Sequence, residues 1–458
     1  MTERPDRAPG AFFRSRAGVL LAVLLGLVLL VSGGIWTGTA RTADDDRPHA
    51  RTVPAPRTES AGPGSVSADS ASAGRWVTSW ATAPAGAEPG TASGGLADWS
   101  VRNVVHTSIG GTGARVTLSH LYGTTPLHVT HATLAVAADH ESAAAVRGTV
   151  RRLTFAGRAS VRVPPGGQVV SDAVALRVPA DGNVLITTYA PTPSGPVTYH
   201  PRARQTSYLA RGDHAGAVSG AAYTRKTPVW RYATALDVRG GGAQGTLAAF
   251  GDSLTDGVTA TVDADRRWPD VLADRLRAAP DGPRYGVANL GISGNRILSD
   301  GTGDPADNPR GLTRYPRDVL DRSGVRAVVI ALGINDILRA PHVTDPERIT
   351  AGLRELTRSA HARGLRVLGA TLMPFHGHRG YRDDLEEVRQ AVNAEIRAGG
   401  VFDEVVDFDR ALRDPYHPKA LHPHYDSGDH LHPSDAGYHR MAETVDLDAL
   451  RGRAPAAL

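Results

Sequence analysis

Gly245-Thr246-Leu247-Ala248-Ala249-Phe250-Gly251-Asp252-Ser253-Leu254-Thr255-Asp256-Gly257, residues 245–257, runs from an apolar stretch directly into a Gly-Asp-Ser turn. The apolar half reads as a short strand and the remainder as the turn into a helix. A serine at that junction can hold its hydroxyl at the top of a sheet, with the following backbone amides near a helix N-terminus and aimed at developing negative charge. The same string also suits an Asp or Ser helix cap with no reactivity. It departs from G-x-S-x-G, which excludes the usual α/β-hydrolase elbow.

Towards the C-terminus the strand-then-helix rhythm repeats. Strands are expected at Tyr285–Leu290, Val325–Leu332, Leu365–Ala370 and Val401–Phe408. Helices are expected where Trp268, Leu272 and Leu276 recur at fourfold spacing, and where Ile349, Leu353 and Leu356 follow Pro346. Such alternation predicts an α/β domain over 242–458, its parallel sheet covered by helices on both faces and its chemistry at the carboxyl ends of the strands. Towards the N-terminus, before Gly240-Gly241-Gly242, the pattern differs. Short alternating or β-branched runs occupy Trp76–Trp80, Ser100–Thr107, Ala114–His120, Leu127–Val136, Gly148–Phe155, Gln168–Leu176 and Asn183–Tyr189. Turn signals at Gly110-Gly111, Pro164-Pro165-Gly166-Gly167 and Asp181-Gly182 separate several of them, so residues 76–241 are expected to form a mostly antiparallel β-sandwich-like domain.

The first 75 residues read differently again. Arg4, Arg7, Arg14 and Arg16 precede the apolar run Ala17–Trp36, a positive region followed by a hydrophobic one, which marks 1–40 as an export signal. The run exceeds a usual signal-peptide core of about 7–15 residues and approaches the roughly 20 that span a bilayer, so an uncleaved anchor through 17–36 is the alternative to cleavage after Ala40. Residues 41–75 are rich in Ala, Ser, Pro, Gly and charge without hydrophobic periodicity, a disordered linker. The expected location is therefore secreted, or retained at the membrane. A formal charge of +4 over 458 residues, from scattered arginines, argues against nucleic acid as a partner, and the absence of Cys excludes disulfides and thiol chemistry.

Three further blocks follow the Ser253 turn in order: Asn289-Leu290-Gly291-Ile292-Ser293-Gly294-Asn295, Gly333-Ile334-Asn335-Asp336 and Asp429-His430-Leu431-His432-Pro433. With Phe250–Gly257 they resemble the blocks of the GDSL/SGNH hydrolases and cover roughly the C-terminal half of the chain. The resemblance implies a three-layer, flavodoxin-like parallel-sheet domain and a serine esterase that needs no cofactor. It casts Ser253 as nucleophile, His432 as base and Asp429 as the group that orients the imidazole. The oxyanion would be held by the amides of Ser253 and Gly294 and the side chain of Asn335, whose amide stays a neutral donor at any ordinary pH. Gly291 competes with Gly294, His430 with His432, and Asp426 and Asp435 with Asp429. Asp336 reads as a local turn or cap residue, and Ser434 or Asp435 as the cap of a final helix carrying Tyr438, Met441 and Val445.

Histidines 417, 422, 424, 430 and 432 crowd one loop, but no helical H-E-x-x-H accompanies them and no metal is expected. Trp76, Trp80 and Trp99 are either sugar-stacking residues of a carbohydrate-binding module or core aromatics. The loops Ser299–Asp318, Pro374–Asp384 and Arg413–His430 are rich in Gly, Pro, Asp, Arg and His, which suits a polar ester such as an acetylated polysaccharide, with Leu298, Leu312 and Phe375 available for a small acyl pocket. A lipid acylhydrolase is the runner-up, and an inactive cell-surface carbohydrate-binding protein the reading from another class.

Overall fold

Leu247, Ala248, Ala249 and Phe250 are fully buried, which places the strand that leads to Ser253 at the centre of a layered domain. The computed structural model describes residues 74–301 and 308–452, all within one compact unit, Ser65–Leu458. The expected export signal and most of the expected linker, residues 1–73, lie outside the described residues. Among the described residues no helix is long and apolar enough to cross a membrane.

Five parallel strands form the C-terminal sheet: β1 (Gly245–Gly251), β2 (Tyr285–Gly291), β3 (Val325–Ala331), β4 (Arg366–Ala370) and β5 (Glu404–Val406). Their order is β2-β1-β3-β4-β5, the flavodoxin-like order. Right-handed crossovers then put α1 (Trp268–Ala278) on one face, where it packs with the final helix α4 (Asp435–Thr444), and α2 (Pro346–His361) with α3 (Asp383–Ala398) on the other. This is the expected three-layer α/β arrangement. Helix α1 buries Trp268, Leu272 and Leu276, and α2 buries Ile349, Leu353 and Leu356, the residues whose spacing announced them. Helix α3 went unread although Leu385, Val388, Val392 and Ile396 carry the helical period and are buried.

The preceding region is mostly antiparallel, as expected. One sheet joins Val77–Ala81, Ala233–Arg239, Gly111–Ser119 and Val174–Val178, with Gln168–Val170 attached. A second is six-stranded and centred on Trp99–Thr107 and Gly182–Ala190, and two small sheets join Trp230–Arg231, Thr198–His200 and Gly86–Ala87, and Leu127–Val129 with Val161–Val163. Val116, Leu118 and Leu236 of the first share a core with Val101, Val105, Val184 and Ile186 of the second. The other face of the second sheet is buried as well: Val104 and Leu185, one residue out of phase, pack with Tyr208 and Tyr223. Two expected runs are interrupted for local reasons. Gly148–Phe155 contributes only Arg151–Arg152, because a tight Phe155–Arg158 turn pulls the chain off the sheet edge. Gln168–Leu176 breaks where the Ser171 hydroxyl replaces a backbone partner for the Val116 N–H.

The β-rich region lies against edge strand β2. Gly286 admits the carbonyl of Thr78, which would stand 2.2 Å from any Cβ at that position. Ser108 Oγ accepts from Val287 N at 2.8 Å, and the Thr78 N–H donates to Thr246 Oγ1 at 2.8 Å. Side-chain oxygens thus satisfy part of an edge that strand pairing leaves open. Trp80 is core, packed edge-to-face on Trp230 with ring centroids 5.0 Å apart. Trp76 and Trp99 are half-buried, each with two arginine guanidinium groups over its ring.

Candidate active site

Strand β1 ends at Gly251, and the next residues form the short helix Ser253–Asp256. Asp252 is its N-cap: Oδ1 accepts from Leu254 N at 3.0 Å. The cap therefore belongs to Asp252, which leaves the Ser253 hydroxyl for another partner, His432 Nε2 at 2.8 Å. The other ring nitrogen of His432, Nδ1, stands 2.6 Å from Asp429 Oδ2. Asp429 Oδ1 also accepts the backbone N–H groups of His432 at 2.8 Å and Leu431 at 3.0 Å. Burial alone would raise the Asp429 carboxyl, but these hydrogen bonds and the imidazole's charge prevail and hold it below the ordinary carboxylate range. It stays ionised and fixes the imidazole with Nε2 towards Ser253.

Gly294, at φ +77, sits in the loop after β2, and among the described residues its N–H and that of Ser253 have no acceptor. Gly291 differs, since its N–H donates to Asn289 Oδ1 at 3.0 Å. Asn335 lies on the short helix Ile334–Leu338 after β3. Its Oδ1 accepts from Arg339 Nε at 2.9 Å and its Nδ2 reaches Asp252 Oδ2 at 3.2 Å, which sets the amide's orientation and leaves one Nδ2 hydrogen uncommitted. Burial pushes the Asp252 carboxyl up to about 6, although the Leu254 N–H, the charge of His432 and the Asn335 amide favour its ionised form.

The competing residues have other partners. His430 Nδ1 pairs with Asp426 Oδ2 at 2.6 Å, a second His–Asp pair without a bond to Ser253. Asp435 accepts from the N–H and hydroxyl of Thr261, and Ser434 Oγ caps α4 by accepting from Gly437 N. Asp336 is not a local cap. Its carboxylate accepts the N–H groups of Ile297 at 2.8 Å and Leu298 at 3.0 Å and so ties the third block to the loop that follows the second. Phe375 is fully buried and lines no acyl pocket, while Leu298 and Leu312 pack against the core. The apolar side chains that line the cleft at Ser253 are Leu338 and Leu431, neither singled out in the sequence. That cleft holds about 660 Å³ and is otherwise walled by Asn335, Arg339, Gly377–Gly380 and Gly428–His432.

Three supports were also missed. Arg314, fully buried, donates to the carbonyls of Gly251 and Leu290 at 2.8 Å each and to Asn295 Oδ1 at 2.9 Å, joining the ends of β1 and β2 to the Gly294 loop. Arg339 stands four residues after Asn335, a spacing that brings side chains together on a helix and was a usable signal. The third support comes from the β-rich region. Asp256 Oδ2 accepts from the N–H and hydroxyl of Ser293, the residue before Gly294, while Asp256 Oδ1 faces His200 Nε2 at 2.9 Å. His200 Nδ1 faces the carbonyl of Ala83 at 2.9 Å. Both ring nitrogens of His200 thus face oxygen atoms, one of them on the buried Asp256 carboxyl group. Nothing local in the sequence joins His200 to Asp256.

Among the described residues no group of three or more His, Cys, Asp or Glu side chains is placed to hold a metal ion. A family model described as the GDSL-like Lipase/Acylhydrolase family matches residues 249–440. No curated protein matches the chain. Solved structures similar to it include the aryl esterase of M. smegmatis, at 20% identity and a TM-score of 0.33, covering 43% of this chain and 95% of that one. A carbohydrate acetylesterase from Sinorhizobium meliloti, at 19% identity and TM-score 0.32, covers 43% and 94% respectively. A GDSL-like lipase from Bacteroides thetaiotaomicron, at 20% and 0.32, covers 44% and 85%.

Proposed function

We propose, from the premise that residues 249–440 belong to the GDSL-like lipase/acylhydrolase family and make the chain a GDSL-type esterase, that it hydrolyses short acyl esters of a polar substrate outside the cell. The observation that carries the mechanism is the row Ser253 Oγ, His432 Nε2, His432 Nδ1, Asp429 Oδ2, with contacts of 2.8 and 2.6 Å at its two ends. Ser253 Oγ attacks the ester carbonyl while His432 Nε2 takes its proton. The tetrahedral oxyanion is met by the N–H groups of Ser253 and Gly294 and by Asn335 Nδ2. His432 then protonates the leaving alcohol, and water, activated by the same nitrogen, attacks the acyl-enzyme to release the acid and restore Ser253.

Chain length follows from the walls of the cleft. Each methylene contributes about 0.8 kcal/mol only where something apolar receives it, and Leu338 and Leu431 are the two apolar side chains among the residues that line the cleft. Acetyl esters fit this best, with an acetylated carbohydrate as the favoured polar substrate. Export rests on the basic Arg4–Arg16 segment and the apolar run Ala17–Trp36. The test is kcat/KM across para-nitrophenyl esters of increasing acyl length, below any micelle threshold. A maximum at the shortest acyl groups is expected; one at about ten carbons or more would favour a lipid acylhydrolase.

A further inference from the structure

Arg339, His378, Arg379 and His430 line the same cleft as Ser253, Asp429 and His432. Asp429 is the one carboxylate among the lining residues, and it is taken up by the His432 ring and two backbone N–H groups. Among the described residues neither Arg339 nor Arg379 has a carboxylate within 4.0 Å. Elsewhere in the protein a buried guanidinium is either paired, as Arg314 is with Asp318, Arg267 with Asp270, and Arg389 with Glu386 and Asp409, or held through its terminal nitrogens by backbone carbonyls, as Arg102 and Arg296 are. The terminal nitrogens of half-buried Arg339 and exposed Arg379 have neither among the described residues. The nearby buried carboxylate of Asp252 is engaged by Leu254 N and Asn335 Nδ2. Arg339 and Arg379 therefore stand in the cleft without an ion-pair partner among the described residues, and Arg339 feels the Asp252 carboxylate only from beyond ion-pair distance.

Arg339 is also held in place. Its Nε is fixed on Asn335 Oδ1, and its guanidinium lies over Gly294, where a Cβ would stand 3.2 Å from one terminal nitrogen. Its two terminal nitrogens are left without an acceptor among the described residues, beside two of the groups that meet the oxyanion. Arg339 and Arg379 are close enough to repel one another, and both act with burial to lower the pKa of His378. Two guanidinium groups facing one space, one of them pinned, match the fork geometry with which arginine takes carboxylate or phosphate oxygens.

We propose that the substrate is an ester that also carries an anionic group, a carboxylate or a phosphate, held between Arg339 and Arg379. This rests on the esterase reading above for its chemistry but not for its binding. Full-length Ser253→Ala protein titrated calorimetrically reads the anion site without turnover. The probes are para-acetoxybenzoate, para-acetoxyphenyl phosphate and the neutral para-acetoxybenzamide. At least one anion should bind about tenfold tighter than the amide or better, the factor one charge-assisted hydrogen bond supplies. The preference should shrink as salt is added and fall towards unity when Arg379→Gln is introduced on the same background. The tighter of the two anions identifies carboxylate or phosphate as the source. Equal binding of all three probes, or an anion preference that survives both Arg379→Gln and Arg339→Gln, would overturn the proposal. Turnover of the same probes by the protein with Ser253 intact is read separately: hydrolysis of none of them sinks the esterase reading while the titration still decides the anion site.

Discussion

Asp252 and Ser253 divide the two roles that a Gly-Asp-Ser turn offers. The aspartate caps the helix, and the serine hydroxyl is left to His432. That division could not be read from the string, because both residue types cap helices well. Residue identity did single out Ser253, Asn335, Asp429 and His432, since their blocks carry chemistry-bearing side chains at fixed spacing. Arg339 escaped because an arginine beside a cleft has no local signature beyond its fourfold spacing from Asn335. At this scale Asn335→Ala is expected to lower kcat about 10²–10³-fold with a smaller change in KM, as loss of an oxyanion donor does. Steady-state kinetics check it, and an effect on KM alone would reduce Asn335 to a binding residue. Asp429→Asn should cost about 10³–10⁴ in kcat, because an amide no longer holds the imidazole in one tautomer.

Between elements, the contact that matters most crosses from the β-rich region to the loop after β2. The buried His200–Asp256 pair backs Ser293, which positions Gly294. His200→Ala would leave Asp256 Oδ1 buried without its partner while Oδ2 keeps Ser293, a loss of about 1–3 kcal/mol. A lower denaturation midpoint together with a lower kcat is the expected result. An unchanged kcat in the folded variant would show that the β-rich region does not support the catalytic loop. The parallel sheet was legible because strands buried on both faces read as unbroken apolar runs. The strands Ser207–Arg211 and Ala233–Arg239 were not: Ala, Tyr, Ser and Asp give no alternation there, and their place is set by partners about a hundred residues distant. Long-range pairing of this kind leaves no local trace.

For the molecule as a whole, ionisation couples the site to stability. Burial raises both Asp252 and Asp336 to about 6 from the ordinary 3.8, so the folded protein keeps their protons to higher pH than the unfolded chain does. Their contribution is therefore favourable at low pH and is lost as pH rises through that window. Asp429 runs the opposite way: its depressed pKa gives stability that is present above 3.8 and lost on further acidification. Asp252→Asn keeps an oxygen for the cap and removes one titration, so the variant should gain stability relative to the native protein between pH 3.8 and about 6. Denaturant unfolding across that range checks the sign, and a constant difference would contradict it. The proposed chemistry as a whole depends on Ser253 Oγ as the atom that is acylated. Its most direct measurement is labelling of the intact chain with a fluorophosphonate, followed by peptide mass spectrometry, beside acetyl-ester hydrolysis by Ser253→Ala. One adduct on Ser253, with the variant unlabelled, folded and at background activity, is the predicted result; an adduct elsewhere, or near-native hydrolysis by Ser253→Ala, would contradict it.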